Sequence, residues 1–469
     1  MYPITKSFIV SNFDDKGIAF SPNDTSSYIA VDEIWNSSSK KFNKENFNNL
    51  INLLAGSEQT SLSTIDSMAV SNKNSADFRS NNAEGKDIVV KLGGFNWTAT
   101  YLSKDKNNNT VLTLWLTDAT QLANKYCFTG SFGTVNNFSA TGGMKWWGAR
   151  YENSKPCSNY GDSIMSVAVL NNGGIYNFLG ADVTHQPISE NPFAEFTINT
   201  SGVDLYDFIV TPEYILWQES QSAVATFGTS YLFPNDAWGS ATGSYNANIT
   251  YTSSARYSDW KDDKLWLPSV TEVGYRPLIG DDFVGLWNLS DAQRETNQNS
   301  PDATSAPTGV AWLRSGSDNN NSKVSAIISL LGIELTGSYD PVFDDSDDAD
   351  PWVVRPALHL NLTEAAKTID HTVTIDKNGG SGGTDSFTIN YLGQMPTITL
   401  PTREGFKING VYDQQNNKIY EVTESFEAKI VSGQEIYRYI QDTTLIAQWT
   451  VQNLKANFNY NGGTVVRES

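Results

Sequence analysis

Cysteine is nearly absent: Cys127 and Cys157 are the only two in 469 residues. A disulfide framework or a cysteine-built zinc site needs more thiols than that, so neither can be assembled from this chain alone. One bridge and two unpaired thiols both stay open. Histidine is equally scarce, at His185, His359 and His371, and no H-E-x-x-H, P-loop or G-x-S-x-G nucleophile elbow occurs. Zinc-protease, α/β-hydrolase and nucleotide-phosphate chemistry thus lack their usual carriers. Positive charge is short as well, with 32 Lys and Arg against 52 Asp and Glu and a net charge of −20. With no run of about five basic residues to neutralise phosphates, neither nucleic acid nor an anionic membrane surface is an expected partner. No apolar run reaches about 18 residues, so no helical membrane insertion is expected. Residues 1–6 lack the charged and then apolar character of a leader. The signal peptide of an exported form is expected upstream or removed.

Aromatic side chains are plentiful, and 13 Trp, 21 Tyr and 22 Phe supply enough core to argue against general disorder. At roughly 150 residues per domain, the length predicts about two to four units. Phe47, Leu50, Ile51 and Leu54 share one helical face, and Gly56 follows as a stop. Residues 57–86 are rich in Ser, Asn, Asp and Gly and read as a surface loop. From Asp87 the pattern turns to strands, at 88–92, 97–102 and 111–116, with the Asn- and Lys-rich stretch 104–109 as a hairpin turn. Further strands are predicted at 208–211, 216–218, 265–267, 324–331 and 353–360, separated by long polar loops. Residues 372–450 alternate again, with glycine-rich turns at 378–383 and 401–405, and read as a separate β-rich unit.

A repeat adds to this picture. HTVTIDKNGG at 371–380 and KANFNYNGG at 455–463 share an opening, so that Asn378, Gly379 and Gly380 recur as Asn461, Gly462 and Gly463. Self-similarity at a domain-sized spacing is the mark of tandem modules. The second copy stops at Ser469, as in a fragment cut from an array. The segments VTIDKNGG (373–380), LPTREGF (400–406) and TLIAQWT (444–450) resemble the Listeria/Bacteroides repeat of internalin-type bacterial surface proteins. That resemblance implies a β-grasp-like module in a stalk. Ile408-Asn409-Gly410-Val411 departs from the Gly-Trp that the family usually carries there.

The larger N-terminal part resembles bacterial and phage-associated domains of C-type-lectin-like fold, the fold of formylglycine-generating enzymes. KLWLPSVTE (264–272), AWLRSG (311–316) and VVRPALHL (353–360) carry the likeness, and FNWTATY (95–101) and NYGDSIMS (159–166) fit its earlier elements. The expected fold class is α+β, with a C-type-lectin-like head and a β-grasp-like repeat. The expected domains are an N-terminal extension of the head (1–84), the ligand-binding head (85–365), the repeat (372–450) and a truncated second repeat (455–469). Trp312 and Leu313 are expected to pair with the strand of Val354, Ala357 and Leu358. Arg314 and Arg355 sit among apolar residues and need a carboxylate or carbonyl partner, with Glu272 and Asp259 as candidates.

The resemblance places the ligand-binding surface at 317–350, with Asp318, Asn319, Asn320, Asn321, Lys323, Ser338 and Tyr339 as contact residues. Variable proteins of diversity-generating retroelements carry their hypervariable residues in this interval. The Asn319–Asn321 run suits that reading and equally suits an ordinary polar loop. Asp344, Asp345, Asp347 and Asp348 are candidate calcium ligands, because calcium takes several oxygens from one flexible loop. Neither the EF-hand spacing nor a Glu-Pro-Asn lectin signature occurs, and a solvated acidic loop fits the same residues. No other cofactor is expected. His359 reads as a core or rim residue. Paired carboxylates can be proposed in any acidic chain, and Glu219 and Glu272, near Trp217 and Trp266, would suit a glycosidase. Cys127 and Cys157 precede the hallmark strands, where formylglycine-generating enzymes carry their cysteines late.

The leading expectation is a non-enzymatic, adhesin-like protein of a Gram-positive cell surface, secreted and binding a protein or glycan through 317–350. An extracellular carbohydrate-active or protein-modifying enzyme is the alternative. A structural wall protein is the second.

Overall fold

In Thr110–Leu116 every residue is apolar or threonine, so the segment has no strongly polar face to offer water and belongs inside a sheet. The computed structural model places it there, with all seven residues buried. Described in full are residues 28–117, 193–200, 202–212, 262–268, 272, 287–290 and 355–452. Of 151–152, 155–156, 174–175, 186–187, 310–316, 324–329 and 333–334 the strand backbone is described. The chain is mixed α/β, mostly strands with few helices. It divides into two compact units, Met1–Thr368 and Ile369–Ser469.

A six-stranded sheet organises the first unit. Its strands are β1 (Tyr28–Val31), β2 (Asp87–Leu92), β3 (Phe95–Lys104), β4 (Thr110–Leu116), β5 (Ile209–Val210) and β6 (Ala357–Asn361), in the order β1-β2-β3-β4-β6-β5. β1 runs parallel to β2 and every other neighbour is antiparallel. Helix α1 (Lys44–Ala55) buries the expected Phe47, Leu50, Ile51 and Leu54. It ends at Gly56, whose φ of 77° lets its N–H close on the Asn52 carbonyl.

Residues 57–86 are not a surface loop. They form α2 (Ser63–Val70) and α3 (Ser75–Asn81), which pack on the sheet and bury Leu62, Ile65, Met68, Ala69 and Phe78. Each helix is about two turns long, so only Ile65, Met68 and Ala69 declare a helical period, and the Ser and Asn between them resemble loop composition. Those polar residues are caps: the Asn74 side chain accepts the Ala76 N–H, and Asp77 accepts the Asn74 N–H. A second correction concerns the hallmark strands. Val310–Gly316 pairs with Val324–Ser329 in a separate three-stranded sheet, whereas Ala357–Asn361 pairs with β4 and β5. Both segments were expected to pair because both are apolar, and apolarity does not name a partner.

The second unit is a sheet of β7 (Asp370–Asp376), β8 (Ser386–Asn390), β9 (Phe406–Tyr412), β10 (Lys418–Val422), β11 (Ala428–Ile430) and β12 (Thr443–Val451). Their order is β8-β7-β12-β9-β10-β11, with β7 and β12 parallel at the centre. Strict alternation in β7 sends His371, Val373 and Ile375 inward, where the latter two join Ile389, Val411, Tyr420 and Leu445 in the core.

One five-residue turn closes three of the hairpins. In Asp105–Asn109 the first and last residues share a backbone bond, the fourth N–H returns to the first carbonyl, and Asp105 accepts the Asn109 N–H. Residues 413–417 repeat this around Asp413 and Asn417. Residues 423–427 repeat it with the Thr423 hydroxyl accepting from Glu427. The fourth residue is left-handed each time: Asn108 at 64°, Asn416 at 65° and Phe426 at 65°. Asparagine tolerates that conformation and phenylalanine does not favour it.

The three motif segments of the second unit meet at one corner. Asn378 donates its side-chain amide to the Ala447 carbonyl, Arg403 donates to the Asn378 carbonyl, and the Trp449 indole donates to the Lys377 carbonyl. A Cβ on Gly380 would lie 2.6 Å from the Trp449 ring, which explains why the turn needs glycine there. Replacing Gly380 with Ala should destabilise the second unit by about 1–3 kcal/mol through overpacking. Calorimetry on the whole chain should show the second unit's transition lowered and the first unit's unchanged.

Candidate functional site

The expected contact residues Asp318, Asn319, Asn320, Asn321, Lys323, Ser338 and Tyr339 lie outside the described residues. So do Asp344, Asp345, Asp347 and Asp348, along with Cys127, Cys157, His185, Glu219, Trp217 and Asp259. What is described is the frame from which that stretch of chain leaves and to which it returns. Ile209 pairs with Leu360 and Val210 with His359. The chain therefore quits the sheet at β5 and comes back at its immediate neighbour β6. Within this span, two described segments are stitched to the sheet.

The first stitch is 264–267. Lys264 donates to the carbonyls of Tyr206 and Ile209, at 3.2 and 2.6 Å, with its ammonium 4.0 Å from the Tyr206 ring centre. Burial lowers the Lys264 amine to about 8. Trp266 exchanges both backbone hydrogen bonds with Ala357, at 3.1 and 2.7 Å. Its ring lies 5.0 Å from that of His359 and 6.1 Å from that of Trp287. His359 is buried in the core, with Nδ1 2.9 Å from the Thr113 hydroxyl.

The second stitch is 287–290. The Ser75 N–H donates to the Trp287 carbonyl at 3.2 Å, and its hydroxyl points at the carbonyls of Trp287 and Asn288. Arg79 donates to the Asn288 carbonyl at 2.8 Å and to Asp87 at 2.6 Å. The other Asp87 oxygen takes the Ser290 hydroxyl. Asp87 is 1% exposed, so these side chains take the place of water around its oxygens. Sequence reasoning missed this network. Its signal was an aspartate opening a mostly apolar strand, eight residues after an arginine.

Arg355 is fully buried, with its guanidinium carbon 3.4 Å from the Trp115 ring centre and Nε donating to the Leu116 carbonyl at 2.8 Å. In return the Trp115 indole donates to the Arg355 carbonyl at 3.0 Å. The partners of this arginine thus include a carbonyl and an aromatic face. Glu272 is buried, and its main-chain carbonyl receives the Trp287 N–H at 3.0 Å. The KLWLPSVTE and VVRPALHL residues therefore act as fasteners for the span between β5 and β6.

Asp204, just before β5, caps the approach to the sheet. The Thr200 hydroxyl at 2.5 Å and Lys40 at 2.9 Å hold its carboxyl down at about 2. Among the described residues there is no group of three or more His, Cys, Asp or Glu side chains arranged to hold a metal ion. None of the described helices is long and apolar enough to cross a membrane. Comparison with protein-family models, curated proteins and solved structures finds no match to this chain.

Two outcomes follow from this frame. Replacing Asp87 with Ala leaves Arg79 facing a vacated partner in a largely buried network and should cost the first unit about 3 kcal/mol or more in chemical denaturation. Because the Asp204 carboxyl is depressed in the folded state, its stabilisation is present above about pH 4 and is lost as pH falls toward 2. Carboxyl-carbon NMR titration should find its midpoint near 2, and Thr200→Ala should raise that midpoint.

Proposed function

We propose that the protein is a bacterial cell-surface binding protein, in which a C-type-lectin-like head recognises a protein or glycan and β-grasp-like modules carry it outward. The observation that carries this reading is the pinning of the span between Val210 and Ala357. Both ends sit on adjacent strands, and 264–267 and 287–290 fasten the middle to the same sheet. Such a frame can hold variable polar loops at fixed positions without altering the core, which is how scaffold-borne binding surfaces work. The Asn- and Ser-rich residues of 317–350, with Tyr339, are of the kind that makes adaptable contacts. The Asn319–Asn321 run is the part of that surface best suited to diversification.

The second unit supports the reading through its topology. Its first and last strands lie parallel at the centre, with β8 outside the first and β9 and β10 outside the last. That is the strand order expected of a β-grasp-like module, extended here by β11. The motif corner gives Asn378, Arg403 and Trp449 a joint structural role in such a module.

A ligand identified on glycan or surface-protein arrays provides the test. Replacing Asn319, Asn320, Asn321 and Tyr339 together with Ala should weaken its binding by about tenfold or more, with circular dichroism and thermal midpoint unchanged. Unchanged affinity for that ligand would place recognition elsewhere.

A further inference from the structure

Phe426 is 69% exposed and held at a φ of 65°, at the tip between β10 and β11. Val451, the last residue of β12, is 63% exposed. Register places the two at one end of the module. Phe406 faces Val451, and β10 runs antiparallel to β9 from Lys418 opposite Tyr412, so its far end and the 423–427 tip lie toward Phe406. Two to three strand spacings, about 10–14 Å, separate them across the sheet. Arg403 covers one face of Phe406 at 3.9 Å, and Glu424 and Glu427 are exposed beside Phe426.

The chain leaves the module at this same end. The Gln452 N–H donates to the Gly405 carbonyl at 2.9 Å, which fixes the exit point. The repeat then begins at once. Aligned on Asn-Gly-Gly, residue 453 is the counterpart of Asp370, and Leu454, Ala456 and Phe458 fall on the phase of the buried His371, Val373 and Ile375. No more than about 7 Å of chain separates Val451 from residue 453, so residue 453 stays within that reach of the exposed Val451. Lys455 aligns with the exposed Thr372, and its charge is opposite to that of Glu424 and Glu427.

We infer that this end face, centred on Phe426 and Val451, is the docking surface for the strand 453–459 that opens the following module, so that successive modules pack end to end. The inference rests on the tandem-module part of the proposed function and is independent of what the head recognises. Phe426 is the fixed anchor, because the five-residue turn leaves its ring no route back into its own core. Burying it against the next module offsets the unfavourable backbone conformation of a left-handed phenylalanine.

Hydrogen exchange read by mass spectrometry on the 469-residue chain tests this. In the wild type, amides of 453–459 should exchange about tenfold or more slowly than the free peptide. Phe426→Ser and Val451→Ser should each return them toward the free rate, while β7 and β9 keep their protection. Free exchange of 453–459 in the wild type would overturn the inference. Protection that survives both substitutions would overturn the end face while leaving tandem modules standing. A concentration-dependent dimer in sedimentation that Phe426→Ser abolishes would assign the face to a second copy instead. Neither substitution should alter ligand affinity of the head, so failure of the recognition reading registers separately.

Discussion

Insertion of Ala357–Asn361 between Thr110–Leu116 and Ile209–Val210 is the constraint on which the first unit depends. It closes a very long span of chain with one short strand. Loop closure grows only slowly with length, so the cost of the span is modest once the strand is seated. Seating it requires side chains that fit the middle of a sheet. Ala357, Leu358 and Leu360 are fully buried, and each large apolar side chain removed from water contributes about 1.5–3 kcal/mol. Trp115, Trp287 and Trp266 form the layer beside it, the Trp287 ring centre lying 5.9 Å from that of Trp115 and 6.1 Å from that of Trp266.

Apolar contact would hold that strand but would not fix its register. A one-residue slip would swap the two faces of β6. Polar groups placed within the aromatic layer oppose this. His359 meets Thr113 directly across the ladder, where the two residues are also backbone partners. Arg355 and Trp115 exchange contacts just before the strand begins, and Trp266 pairs with its first residue, Ala357. Each of these groups would be left buried and unsatisfied in a shifted register, which costs more than a neutral contact gains. The same logic operates at Asp87, where a buried carboxylate binds Arg79 and Ser290 and so ties residue 290 to the start of β2.

How much of this could be read in advance depended on the distance between partners in sequence. Helix α1 and the hairpin of β3 and β4 announce themselves because period, cap and turn all lie within a few residues. The Asn378, Arg403 and Trp449 corner was visible as three motifs, although only the fold shows that they touch. α2 and α3 were hidden because two turns of helix bury too few residues to establish a period. The partner of Ala357–Asn361 was misassigned because pairing is decided by the whole sheet, and a second apolar run at 310–316 was an equal candidate. Arg355 was expected to need a carboxylate or carbonyl partner, and the Leu116 carbonyl and the Trp115 ring, both of which it meets, have no one-letter signature.

The three five-residue turns separate what a fold requires from what it merely permits. Asp105, Asp413 and Thr423 do the same work, accepting the N–H four residues on, and all three turns place their fourth residue near a φ of 65°. Asparagine fills that position twice, as the backbone favours. Phenylalanine fills it once, where a left-handed L-residue costs about 1–2 kcal/mol and the exposed ring gains nothing from its own core. The first two turns are explained by the hairpins they close. The third is not explained by its hairpin, since neither local geometry nor internal packing favours that side chain there, and the proposed end face supplies a reason for it.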